Sequence, residues 1–244
     1  MFRHQGKMRT QSHNIKIASL LSFVAGIVNV AGFLAVERLT TNVTGHFAFF
    51  TDEVFKLNFL QAFIYFLYIF FFLAGSFFSS FLTEAIIRKN ADYVFIVPIF
   101  IEAAILLLIA FYSKCLILHN PDVIAFSLLF AMGLQNSLVT KISNSIVRTT
   151  HLTGLFTDLG IDLSQLFFYK TIEQKKKLSF SIKLRLTIIS FFFFGGIVSG
   201  VFYSNIKMYV LVIAAICLVG GVVYDGVKYR LIRLKRKCQG HFIQ

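Results

Sequence analysis

Two short stretches carry the side chains best placed for chemistry. Thr41-Asn42-Val43-Thr44-Gly45-His46 and Thr150-His151-Leu152-Thr153-Gly154-Leu155 both read T-x-x-T-G. A threonine hydroxyl accepts hydrogen bonds from the free N–H groups at a helix start, so Thr44 and Thr153 are candidate N-caps. Gly45 and Gly154 let the backbone turn and let a ligand come close. Each motif runs into a Phe-rich amphipathic segment bearing an acid, Asp52 or Asp158. In the second segment Asp158, Asp162 and Gln165 fall on one polar stripe, with Leu155, Phe156, Leu159, Leu163, Leu166 and Phe167 around the rest. If such a segment re-enters a membrane, its N-terminus presents unpaired N–H groups and partial positive charge, an anion site. The alternative is a helix lying flat at the interface. His46 and His151 sit at these motifs but not at equivalent positions, and no H-x-x-x-H spacing is present, so no metal and no cofactor are expected. Asn42-Val43-Thr44 also matches a glycosylation sequon and is better read as part of the repeated motif.

A second group is polar side chains inside apolar runs. Glu102, in Phe100-Ile101-Glu102-Ala103-Ala104, is an acid near the middle of such a run. A charge there costs about 2.5–3.5 kcal/mol on insertion scales, so it should face the interior and have a partner; proton or cation coupling is its functional reading, a structural hydrogen bond its plain one. Asn29, Gln135 and Asn136 are carboxamides in apolar surroundings, where they make interhelical hydrogen bonds worth about 0.6–2 kcal/mol.

The elements that must position these groups are membrane helices. The 244 residues are 57% hydrophobic and 14% charged, against about 25% charged in soluble domains. Six segments approach the roughly 20 apolar residues that a crossing needs: Ile17–Val36, Phe63–Leu82, Tyr93–Tyr112, Val123–Val139, Leu186–Tyr203 and Met208–Tyr224. The first run lacks a small-residue cleavage site and reads as a retained helix. With the N-terminus inside, the inner segments hold all but four of the 24 Lys and Arg residues; Arg38, Lys56, Lys114 and Lys207 lie outside. Eight of the inner ones share one long loop before the fifth span. The net charge of +13 therefore reflects membrane orientation, and no nucleic-acid partner is expected. The tail 225–244 carries six basic residues from Lys228 to Lys237, suited to anionic inner-leaflet lipid. Cys115 in a loop, Cys217 in a span and Cys238 in the tail make no disulfide framework. Gly196-x-x-x-Gly200 and Ser22-x-x-x-Gly26 suit helix packing, Pro98 suits a kink, and Asp225 suits the interface at the end of the last span.

The motifs repeat in order. F-x-x-G-x-x-N occurs at Phe23, Gly26, Asn29 and at Phe130, Gly133, Asn136, 107 residues on; the Thr-Gly motifs are 109 apart. Phe71-Phe72-Leu73-Ala74-Gly75 is similar to Phe192-Phe193-Phe194-Gly195-Gly196. Two three-helix halves, 17–112 and 123–224, enter from opposite sides because three is odd. The expected fold is an all-α integral membrane protein: six transmembrane helices in a 3+3 inverted-topology repeat, with two amphipathic or re-entrant segments.

At Ala25-Gly26, Gly32-Phe33-Leu34, Thr41 to His46, Ala131 to Asn136 and Arg148 to Gly154 the chain resembles the YoaK family of bacterial inner-membrane proteins. The likeness runs from about Ile17 to Tyr224. Many members of that family carry Asp where Asn29 stands and Asn where His46 stands. The resemblance implies a six-helix protein of the bacterial inner membrane and brings no substrate, reaction or catalytic residue.

The expectation is a small-solute transporter or permease with both termini cytoplasmic. Its central site would lie at the repeat interface, formed by Asn29, Thr44, Gly45, His46, Gln135, Asn136, His151, Thr153, Gly154 and Asp158, with Glu102 as coupling group. Its partners would be the lipid bilayer, anionic lipid at the tail, an unidentified small solute and, if it self-associates, further copies of the chain. No nucleophile motif such as G-x-S-x-G is present, so an enzyme is not expected. The alternatives are an intramembrane enzyme using His46 or His151 with Asp52 or Asp158, and a membrane scaffold without transport.

Overall fold

The computed structural model describes residues 9–88 and 94–240, with side chains as far as Lys228. Among these residues all the regular structure is helical, without strands. The helices are α1 (Gln11–Val36), α2 (Val43–Phe55), α3 (Phe59–Ile87), α4 (Ile96–His119), α5 (Pro121–Ser143), α6 (Leu152–Gln165), α7 (Ile172–Ile206) and α8 (Val210–Gly240). Five stretches are long and apolar enough to cross a membrane: α1, α3, α4, α5 and the 57-residue run Ile172–Lys228. That last run is two helices, because a 3-10 turn at Lys207–Tyr209 divides it and Lys207 has a φ of 50°.

The main helix contacts come in matched sets. α1 packs along α7, and α5 along α3; α2 lies on α3, and α6 on α7; α4 touches α5, and α8 touches α1; α1 meets α5, and α4 meets α8. Exchanging α1 with α5, α2 with α6, α3 with α7 and α4 with α8 turns this set into itself. The two tightest crossings use the same device. Gly26 meets the Phe192 carbonyl, and Gly195 meets the Phe23 carbonyl; Gly75 meets the Phe130 carbonyl, and Gly133 meets the Phe72 carbonyl. At each of the four, a Cβ would collide with that oxygen. Small residues at such crossings let backbones approach where lipid supplies no hydrophobic drive.

The register corrects two expectations. Gly195 makes the closest approach to α1; Gly196 also lies against it, with its Cβ position 3.1 Å from Val30 Cγ2, and Gly200, though exposed, borders the same Val30 side chain at 4.0 Å. Gly75 accordingly matches Gly195, one residue earlier than the sequence likeness suggests. Pro98 does not kink a span. It stands in the first turn of α4, where backbone N–H groups have no intrahelical partner; the expected start at Tyr93 lies outside the described residues. Cys115 belongs to α4 rather than to a loop. The long basic loop before the fifth span folds as α6 and the first turns of α7.

α1 and α5 form the buried centre, with Leu21, Ile27, Val28, Leu128, Met132 and Leu138 fully covered. α3 shows the opposite face of the same logic. Phe63, Phe66, Phe70, Leu73, Phe77 and Phe81 recur every three or four residues and are all exposed. An exposed apolar stripe of this length is a lipid-facing surface.

Candidate functional site

The Thr-Gly motifs owe their position to the helices before them. α1 ends at Glu37 (φ 53°) and α5 at Asn144 (φ 51°), left-handed residues 107 positions apart. The chain then folds back on its own helix. Thr40 Oγ1 donates to the Val28 carbonyl at 3.1 Å, and Thr41 Oγ1 donates to Asn29 Oδ1 at 2.6 Å. In the second half, Thr149 and Thr150 donate to Asn136 Oδ1 at 3.4 and 3.1 Å. Gln135 Nε2 donates to the Leu21 carbonyl (3.1 Å) and to Thr149 Oγ1 (3.2 Å), tying α5 to α1. Asn29, Gln135 and Asn136 are therefore tethers for the turns. Among the described residues no hydrogen bond joins Asn29 to Asn136.

The N-cap of α2 is Asn42, not Thr44: the Gly45 N–H donates to Asn42 Oδ1 at 3.3 Å. Thr44 and Thr153 are the second residues of their helices and are exposed. The threonines that matter for the turns are Thr41 and Thr150, one step earlier in each motif. His46 is fully buried, with Nε2 2.6 Å from the Leu39 carbonyl and its ring 4.7 Å from that of Tyr68. Because Nε2 meets a carbonyl it carries the proton. Nδ1 is left buried without a hydrogen-bond partner. Burial holds the His46 imidazole below its ordinary pKa; the Leu39 bond opposes this and the Arg38 charge adds to it. Beside it, Arg38 Nε donates to the Tyr68 hydroxyl at 3.3 Å, and that hydroxyl donates to Asp122 at the start of α5. His46 and Tyr68 are fully buried here among aromatic rings, while Arg38 and Asp122 keep about a third of their side chains exposed.

The second motif opens instead. α6 starts at His151 with no side-chain cap, and the His151 ring lies over Gly154 where a Cβ would stand. A cavity of about 570 Å³ adjoins it, lined by Arg148, His151, Gly154 and Asp158 on one side and by Lys177, Ser181 and Arg185 of α7 on the other. The predicted polar stripe of α6 does not simply line this space. Asp162 is buried and pairs with Arg185, while Asp158 Oδ2 lies 3.4 Å from Arg185 Nη2. Two carboxylates thus hold one guanidinium, and Arg148 and Lys177 bring further positive charge. A site of this make-up can take a small polar solute from the α6–α7 side.

The expected site residues form two clusters, one at each short helix. Glu102 stands apart on α4, fully buried, with neither carboxyl oxygen hydrogen-bonded among the described residues. It faces the interior as expected, but the expected hydrogen-bond partner is missing. Asp225 is buried on α8, and its charge acts on Arg9, which lies just before the start of α1. Burial pushes the Arg9 guanidinium down to about 10, an effect that Asp225 opposes. No group of three metal-ligating side chains occurs among the described residues. Sequence reasoning missed Arg38, Tyr68 and Asp122, and counted Arg148, Lys177 and Arg185 only as loop charge. A usable signal was Arg185: it follows the lysine run at the edge of an apolar segment, where a cation needs a partner.

Residues 17–224 match the family described as Protein of unknown function (DUF1275), and the chain belongs to that family. The resemblance to the YoaK family is compatible with this match. No curated protein matches the chain, and no solved structure does.

Proposed function

We propose that this member of the DUF1275 family is a small-solute permease of the bacterial inner membrane, with six crossings, both termini cytoplasmic and two halves of opposite orientation. The observation that carries this is the exchange of helix contacts between halves, centred on the paired Phe-x-x-Gly crossings. The 57 residues from Ile172 to Lys228 would extend about 85 Å as one helix, against a hydrocarbon core of about 30 Å, so α7 and α8 cross separately. Three crossings per half invert the second, an arrangement that in secondary transporters places the solute between the repeats. In this reading solute enters the cavity beside Arg148, His151 and Asp158 and passes between α1 and α5, near Asn29 and Asn136. Glu102 is the coupling group: a charge on it has no partner, so proton uptake there is linked to whatever reaches it.

A second reading has its own observation. Asn29, Asn136 and their threonines are consumed by local hydrogen bonds, as in a protein whose motifs only set packing. Proteoliposome swelling with a panel of small neutral, anionic and zwitterionic solutes separates the two. A permease passes at least one class, and Gly154→Leu, which pushes the His151 ring into the cavity, reduces the rate about tenfold or more. Gly160→Leu, at an exposed glycine with open space around it, leaves the rate unchanged. No flux for any class favours the scaffold. Flux indifferent to Gly154→Leu removes the cavity from the path.

A further inference from the structure

The first turns of α7 carry a second surface beside the cavity at His151, the two sharing Gln11 and Phe180. Lys176, Ser179 and Lys183 stand at i, i+3 and i+7 on one face of the helix. With Gln11, Ser12, Ile15 and Phe180 they line a pocket of about 440 Å³. Ser179 and Lys183 also line a second, apolar groove of about 590 Å³, which runs along α7 past Leu186 and Ser190 to Phe191. Two other cations of α7 are engaged. Lys177 pairs with Glu173 at 3.0 Å, and Arg185 holds Asp158 and Asp162. Lys176 and Lys183 are exposed and have no ion pair among the described residues.

A pair of free cations at the mouth of an apolar groove has the shape of one molecule: a phosphate headgroup with an acyl chain. From Lys183 to Phe191 the helix rises about 12 Å, within the roughly 15 Å depth of one leaflet. Basic pockets on the cytoplasmic side of helix bundles suit anionic lipid headgroups. We propose that this face of α7 is a binding site for one anionic phospholipid of the inner leaflet. The headgroup phosphate sits between Lys176 and Lys183 with the Ser179 hydroxyl donating to it, and one acyl chain lies against Leu186 and Phe191. The leaflet rests on the membrane reading above; the binding site does not.

The test is thermal unfolding of the detergent-purified full chain with added phosphatidylglycerol, phosphatidylcholine of the same chain length, or inorganic phosphate. Phosphatidylglycerol should raise the melting temperature by several degrees and the other two should not. The shift should vanish in Lys176→Gln/Lys183→Gln, which alters only exposed side chains, and persist when Lys235, Arg236 and Lys237 of the tail are changed to Gln. Leu186→Asn should weaken the lipid effect with both lysines in place. Equal responses to the two lipids, a response to phosphate alone, or a shift that follows the tail charges would overturn the site. The leaflet is read separately, by impermeant maleimide labelling of Lys175→Cys in a background without native cysteines. Labelling only from the cytoplasmic side supports it, and labelling only from outside overturns the membrane reading while leaving lipid binding to its own data.

Discussion

Where α2 rests on α3 the contact is aromatic; where α6 rests on α7 it is ionic. Phe49 stacks on Tyr65 with ring centroids 5.3 Å apart. Asp158 and Arg185 occupy the matching positions, 109 and 120 residues on, and their charged atoms stand 3.4 Å apart. His46, buried against Tyr68, has Leu155 as its counterpart, and Tyr68 has Ile188. The turns before the two short helices are nevertheless tied by the same Thr-to-Asn hydrogen bond. The backbone plan is thus held in common while the side chains on it differ. In the aromatic interface His46 and Tyr68 are fully buried. The ionic one borders a cavity, where the exposed Asp158 can exchange Arg185 for water or solute at modest cost.

The largest expected effects lie where the halves agree, and they test that agreement. Gly26→Ala and Gly133→Ala each drive a methyl into a backbone carbonyl that cannot rotate away. Overpacking costs about 1–3 kcal/mol and sometimes more; both variants should reach the upper end, as large falls in melting temperature or loss of monodisperse protein. A severe effect from one and none from the other would break the equivalence of the two crossings.

Next come changes that separate the halves. Arg185→Met leaves the buried Asp162 without its cation. Breaking a buried pair costs about 3–5 kcal/mol. Arg185 keeps a fifth of its side chain exposed, so about 2–3 kcal/mol is expected. Adding Asp162→Leu should restore most of that loss, as a double-mutant cycle would show. Tyr65→Leu, at the matching position, should cost less, since an aromatic pair adds about 0.5–1.5 kcal/mol beyond area burial. Equal losses at the two positions, or no rescue by the second substitution, would mean that the ionic contact is incidental.

How far the chain could be read follows from the same comparison. Helix existence and the repeat were legible because apolar runs, paired F-x-x-G motifs and a fixed spacing are one-dimensional signals. Packing register was not. Gly195 and Gly196 both lie against α1, and which one makes the closest backbone approach depends on a rotation of about 100° that neighbouring sequence does not specify. Capping was misassigned for a related reason: Asn42 and Thr44 are both good caps, and the choice followed from Thr41 being drawn back to Asn29. The charged constellations were hidden because their members lie far apart in the chain. Arg38, Tyr68 and Asp122 come from three separate segments, and Arg185 looked like one more basic residue until α6 folded against it.

The smallest effect bears on the aromatic side of the comparison. His46→Leu installs the residue that the second half uses at this position. It removes the bond to the Leu39 carbonyl, worth about 1 kcal/mol, and fills the same apolar space. The histidine is held neutral by burial, so its folded pKa lies below the unfolded one of about 6.5. The sign follows: the stability gained from neutral His46 is complete above that value and is lost as pH falls from it toward the lowered folded pKa. Melting curves at pH 7.5 should therefore favour the native chain over His46→Leu, and the gap should narrow or reverse by pH 5.5. Acid effects elsewhere in the chain are common to both proteins and cancel in the difference. A gap that stays constant over this range would mean that His46 titrates alike folded and unfolded. The aromatic interface would then be open to water, and the contrast with α6 and α7 would lose its basis.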